Sequence, residues 1–188
     1  MLMKKLFAGL LLVGGLLFVE SVHPIHDEVL RSFKASIAHM EKTAKFINST
    51  QIACMATNMI YEAGSEGVEG MAAVARVVLN RIAHGFATTP CKVIYQKTVL
   101  KGAENEIERI ICQFSWTCQE VPAINKRDPN YALAEKIAFD VLANNAYNDL
   151  VSKNTVYFHA TSVKPNWPYK RDRVIGNHIF YTKHRIKQ

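Results

Sequence analysis

CMATNMIYEAGSEGVEGMAAVARVVLNRI, residues 54–82, is the stretch on which the fold turns. Met55, Ala56, Met59 and Ile60 recur at helical spacing, and Ser49 and Thr50 ahead of them are residue types that cap a helix N-terminus. Gly64, able to take the left-handed conformation at a helix C-terminus, is expected to end this helix and leave Glu62 in its last turn. Ser65 is then placed to cap a second helix over residues 66–84. Met71, Val74, Ala75, Val78, Leu79 and Ile82 give that helix a broad, alanine-rich apolar face, so it is expected to form the structural centre.

On the N-terminal side, Val29, Phe33, Ile37, Met40, Ala44 and Ile47 recur every three or four positions among charges, the period of an amphipathic helix that packs on the core or acts as a spacer. Before it, Lys4 and Lys5 precede an apolar run from Leu6 to Val19 and the small residue Ser21, the anatomy of a signal peptide over residues 1–21. The run is shorter than the roughly 20 residues a membrane-spanning helix needs, so export is expected, with membrane contact only through this segment.

On the C-terminal side, residues 85–111 carry turn signals at Gly85, Pro90 and Gly102 with a short apolar stretch at Val93–Tyr95. Helical spacing returns over Tyr131–Asn144 through Ala134, Ile137 and Val141. Thr155–His159 and Val174–Tyr181 are β-branched and aromatic, and are expected to be two strands joined by a long exposed loop. The pattern predicts an α+β, mainly helical domain with a small antiparallel sheet, and 188 residues are enough for one such domain with a real core.

The formal charge is +7, and removing Lys4, Lys5 and Glu20 with the signal leaves the remainder basic. A basic exported chain suits an anionic polymer such as the cell wall, and export argues against nucleic acid as partner. Four cysteines, Cys54, Cys91, Cys112 and Cys118, all follow the signal, and an even number in an exported chain is normally paired.

In CQFSWTC (112–118), period-two alternation of an extended segment puts Cys112, Phe114, Trp116 and Cys118 on one face and Gln113, Ser115 and Thr117 on the other. Gln113 and Ser115 then form a polar face suited to substrate contacts, whereas Trp116 suits a core position beside a disulfide. A straight strand would hold Cys112 and Cys118 roughly 20 Å apart, beyond the ~7 Å Cα limit for a disulfide, so each is expected to pair with Cys54 or Cys91.

Glycosidic cleavage needs a carboxylic acid held partly out of water so that it keeps its proton near neutral pH. Glu62, between Met59-Ile60-Tyr61 and Ala63-Gly64, has such an apolar setting, although on its neighbours alone an ordinary helix-end glutamate is the better reading. The wider stretch resembles the opening of the SleB/CwlJ family of cell-wall hydrolases. That family's signature is a glutamate, an alanine, a second glutamate, a glycine, and an alanine/valine-rich helix ending in asparagine-arginine. Here these are Glu62, Ala63, Glu66, Gly70, Asn80 and Arg81. The resemblance continues in CQFSWTC, VYFHATSVKPNW (156–167) and IGNHIFY (175–181), covering nearly everything after Ser49; Gly64-Ser65 replaces the family's usual arginine-glycine.

The resemblance implies a lysozyme-like fold of the lytic transglycosylase type over residues 50–188, after a helical lead-in at 22–49, with Glu62 catalytic. By that analogy Glu62 protonates the oxygen between N-acetylmuramic acid and N-acetylglucosamine, then deprotonates the muramic 6-hydroxyl to close a 1,6-anhydro ring. His159 and His178 match histidines of the family pattern and are implied substrate or orienting groups. Without the resemblance both are ordinary structural histidines. A water-using hydrolase normally has a second carboxylate about 5–9.5 Å from the first. Glu66 is the nearby candidate, yet a position in the first turn of a helix also gives it a structural role on the helix dipole.

The loop from Lys164 to Arg173, with Trp167, Tyr169 and several cations, equally suits acidic stem peptides or plain solvation. Peptidoglycan is the expected partner of a monomeric, periplasmic or secreted enzyme with no cofactor and no metal. Three rivals remain. A zinc amidase acting on the bond to the stem peptide would need ligands, and His84, His159, His178 and His184 show no HExxH pair. A non-catalytic wall-binding protein would keep the groove, and a phage lysis enzyme would share the chemistry.

Overall fold

A computed structural model describes residues 26–38, 40–41, 47–102 and 106–185. The signal peptide expected at 1–21 lies outside the described residues, as does Ala44 of the lead-in. The chain divides into two units at residues 45/46. In the first, residues 26–38 form helix α1, and residues 40 and 41 are also helical. Its apolar positions Val29, Phe33, Ile37 and Met40 are exposed. No helix among the described residues is long and apolar enough to cross a membrane.

The second unit opens with α2 (Ser49–Ala63). Its cap is Asn48, in extended conformation with its side chain accepting from Gln51 N, so Ser49 and Thr50 lie inside the helix. Asparagine offers the better-placed acceptor, one residue earlier than expected. Gly64 ends α2 with φ −60°, a right-handed conformation, because its N–H still reaches Ile60 O at 3.1 Å. The left-handed residue is Gly67 (φ 69°), which delays α3 to Gly67–Ala83 and leaves Glu66, not Ser65, at the cap position.

α3 is buried nearly all round, the mark of a central helix. One side, with Met71, Val74, Ala75 and Val78, packs into the main core with Met55, Met59, Tyr131, Ile137 and Val141. The other, with Ala73 and Val77, meets Val151 and Phe180 of the sheet region. Each fully buried valine contributes about 1.5–3 kcal/mol relative to exposure. α4 (Pro90–Ile94) is capped by Thr89, and α5 (Pro129–Asn144) starts at Asp128 with proline in its first turn and ends at Asn145 in the left-handed region.

Between α4 and α5 an antiparallel hairpin, β1 (Lys97–Lys101) and β2 (Ile107–Cys112), stands where only turn signals were legible. The two strands are exposed almost throughout, so no alternation of apolar and polar residues marks them. The segment after β2 is not extended. Ser115–Cys118 is a turn of 3₁₀ helix, η1, which folds the chain back. That reversal brings the Cα atoms of Cys112 and Cys118 to 6.2 Å, and these two cysteines pair with each other, while Cys54 pairs with Cys91 (Cα–Cα 5.4 Å) and ties α2 to α4.

The second sheet is antiparallel with order β3 (Thr155–Ala160), β5 (His178–Arg185), β4 (Tyr169–Ile175). The single strand expected over Val174–Tyr181 is instead the turn of the β4–β5 hairpin, bent at Gly176 and Asn177, and half of the expected exposed loop is β4. Gly176 has φ 54°, and a Cβ there would collide with the Glu66 carboxylate, so glycine is required twice over. The domain is α+β and mainly helical, as the sequence pattern predicts.

Candidate active site

Two buried side chains at the end of α3 dock the sheet. Asn80 donates through Nδ2 to Ser152 O (2.9 Å) and Thr155 O (2.8 Å), and Arg81 Nε donates to Val156 O (2.8 Å). They hold β3 beside the C-terminal turn of α2, and a cleft of about 450 Å³ opens between them. Glu62, Gln113, Ser115, His159 and His178 all line it, although they come from α2, the turn after β2, β3 and β5.

Glu62 is half-buried. Loss of hydration pushes its carboxyl up from 4.5 to about 7, against the opposing pull of the Arg81 charge. Arg81, 5% exposed, has its guanidinium carbon 4.8 Å from the Phe114 ring centre and 5.9 Å from that of Phe86. Burial lowers it to about 10, with Glu62 and Tyr157 opposing, so it stays cationic at neutral pH.

Glu66 does not line the cleft. Its buried carboxylate faces the β4–β5 turn, accepting from Asn177 N (3.2 Å), with Oε1 2.9 Å from His178 Nδ1. That contact is an ion pair when the imidazole is protonated, and the carboxylate makes no capping bond to α3. His159 is held at both nitrogens, Nδ1 by Ala160 O (2.8 Å) and Nε2 by the Tyr181 hydroxyl (3.0 Å).

Trp116 lies outside the cleft, partly buried against the main core, stacked on Tyr61 at 4.6 Å and donating to Asn58 Oδ1. Of the loop running from Lys164 to Arg173, Trp167 alone reaches the cleft, its ring 5.2 Å from His159 and 5.7 Å from Tyr181. Lys164, Lys170, Arg171 and Arg173 are solvent-exposed. Among the described residues no group of three or more His, Cys, Asp or Glu side chains is disposed to hold a metal ion.

Sequence reasoning missed Arg81 and Tyr157 as cleft residues. Arg81 had a usable signal, being a charge on the face of α3 that otherwise carries Val74 and Val78; Tyr157 had none beyond its place in a strand.

Neither a curated protein nor a solved structure matches the chain. A family model described as Cell Wall Hydrolase matches residues 65–181, a span that starts just after Glu62 and takes in Arg81, the disulfide turn and both cleft histidines. With most of its length so matched, the chain belongs to the cell wall hydrolase family.

Proposed function

We propose that this peptidoglycan-degrading enzyme is an exported lytic transglycosylase that cuts the glycan strand between N-acetylmuramic acid and N-acetylglucosamine, with Glu62 as its single acid/base. The observation that carries the reading is that Glu62 is the one carboxylate among the described cleft residues and is held near pH 7 by desolvation. A group poised there gives a proton to a leaving oxygen and takes one back from a hydroxyl with comparable ease. The candidate second carboxylate, Glu66, is committed to Asn177 and His178, which favours an intramolecular hydroxyl over an activated water as acceptor.

Gln113 and Ser115 supply hydrogen bonds to sugar hydroxyl and acetamido groups, Trp167 supplies an apolar face, and His159, with both ring nitrogens engaged, orients the Trp167 and Tyr181 rings beside them. The paired cysteines and the basic charge agree with export to the wall, where the protein acts as a monomer.

The test is mass spectrometry of peptidoglycan digested by the purified protein and by Glu62→Gln. Muropeptides ending in 1,6-anhydro-muramic acid, lost in the variant, are expected. Reducing muramic ends would make water the acceptor and reopen Glu66, and free stem peptides would mean an amidase.

A further inference from the structure

Arg81 is held on two sides and free on a third. Its Nε is spent on Val156 O and its plane lies against Phe114, while Nη1 is buried without a hydrogen-bond partner among the described residues. The side chain nevertheless lines the cleft that Glu62 lines, and no ion pair joins the two. An unsatisfied charged donor in a buried site is costly, so a partner that forms during the reaction explains its retention better than packing does.

The other titratable groups around the cleft are already engaged. His178 on β5 has Glu66 behind it, His159 on β3 is held by Ala160 and Tyr181, and Tyr157 on β3 is neutral near pH 7. Arg81 is thus the cation facing Glu62 that has no counter-charge of its own.

We propose that Arg81 is the positioning residue for Glu62, its free Nη1 receiving the Glu62 carboxylate each time that carboxylate is formed. The timing rests on the transglycosylase reading, the pairing itself does not. In the first half-reaction the Glu62 proton passes to the glycosidic oxygen as the bond to the muramic C1 breaks, and Glu62 becomes anionic. In the second, the muramic 6-oxygen closes on C1 and its proton returns to Glu62. A permanently charged, rigid guanidinium can hold the carboxylate in one orientation between the two transfers, a task for which lysine is a poor substitute.

The experiment follows the Glu62 carboxyl by ¹³C NMR titration of the full chain, without substrate, in wild type, Arg81→Gln and Arg81→Lys. Loss of an opposite charge nearby is expected to raise the Glu62 midpoint in Arg81→Gln by about one pH unit, with Arg81→Lys between the two. A midpoint unchanged in a folded Arg81→Gln overturns the proposal. If Arg81→Gln does not fold, the Arg81 side-chain ¹⁵N signals in wild type decide: they are expected to shift with the Glu62 midpoint and to stay flat in Glu62→Gln. Signals indifferent to Glu62 ionisation overturn the proposal equally. On peptidoglycan the alkaline limb of kcat/KM should move with the midpoint. Failure to release anhydro-muropeptides would instead sink the transglycosylase reading and leave the titrations standing.

Discussion

Replacing Glu62 with glutamine removes a titration while keeping the shape of the side chain, and its effect on stability is calculable. Burial lifts the Glu62 carboxyl from 4.5 to about 7, which at about 1.4 kcal/mol per pH unit amounts to about 3 kcal/mol. The folded-state value lies above the unfolded one, so the folded protein binds this proton more tightly. The associated stability is fully present below pH 4.5 and is lost as pH rises through 7. Wild type should therefore lose about 3 kcal/mol relative to Glu62→Gln between pH 4 and pH 8, with most of the change between the two values. Urea unfolding of both proteins with disulfides intact, at half-unit pH steps, measures this double difference, in which every other titrating group cancels. A difference constant to within about 0.5 kcal/mol across that range would falsify the desolvation of Glu62, and with it the reason it can serve as an acid near neutral pH.

Three further outcomes are expected. Glu66→Ala strips the Asn177 N–H and His178 of their shared acceptor and should cost about 2–4 kcal/mol in urea unfolding while sparing the product chemistry, whereas unchanged stability with abolished cleavage would mark Glu66 as a catalytic carboxylate. Because the Cys54–Cys91 bond closes a loop of 37 residues and Cys112–Cys118 one of 6, replacing the first pair by serine should lower stability by about 4 kcal/mol and the second by about 2, and a reversed order would show that chain entropy is not the governing effect. Trp167→Ala should raise KM for peptidoglycan about tenfold with kcat nearly unchanged, and a fall in kcat alone would mean that the indole orients the reacting sugar instead of binding it.

The parts of the fold that were legible in the sequence are those whose order is set by burial. Met71, Val74, Ala75 and Val78 are apolar at helical spacing because α3 is enclosed by helices on one side and sheet on the other, so the pattern and the structure have one cause. The misread parts are governed by a few backbone atoms. Asn48 displaced Ser49 as cap by the placement of one side-chain oxygen, and the left-handed turn fell at Gly67 instead of Gly64, although either glycine can adopt it. The same holds at CQFSWTC, where alternation argued for a strand. Packing Trp116 between Tyr61 and Tyr95, with its indole N–H on Asn58, fits instead with a tight 3₁₀ turn, and the turn brings Cys112 to Cys118.

The cleft divides along the same line. Glu62 was visible through the family signature its stretch resembles, its apolar chain neighbours alone favouring an ordinary helix-end glutamate, whereas Gln113, Ser115 and His159 were visible as residue types and not as neighbours. The sheet with His159 is brought in by long-range ties, Asn80 to Ser152 and Thr155, Arg81 to Val156, and Glu66 to Asn177. The turn with Gln113 and Ser115 is held by Trp116 on Asn58 and by Gln113 N on Gln96 O. Each tie to the sheet starts from a polar residue near one end of α3 and finishes on a backbone group of the sheet or its loops. The segment that resembles a catalytic signature is therefore also the scaffold that assembles the groove. A substitution at Asn80 should disturb the cleft without touching it, because that side chain fixes how α3, packed against the helix that carries the acid, meets the strand that carries His159.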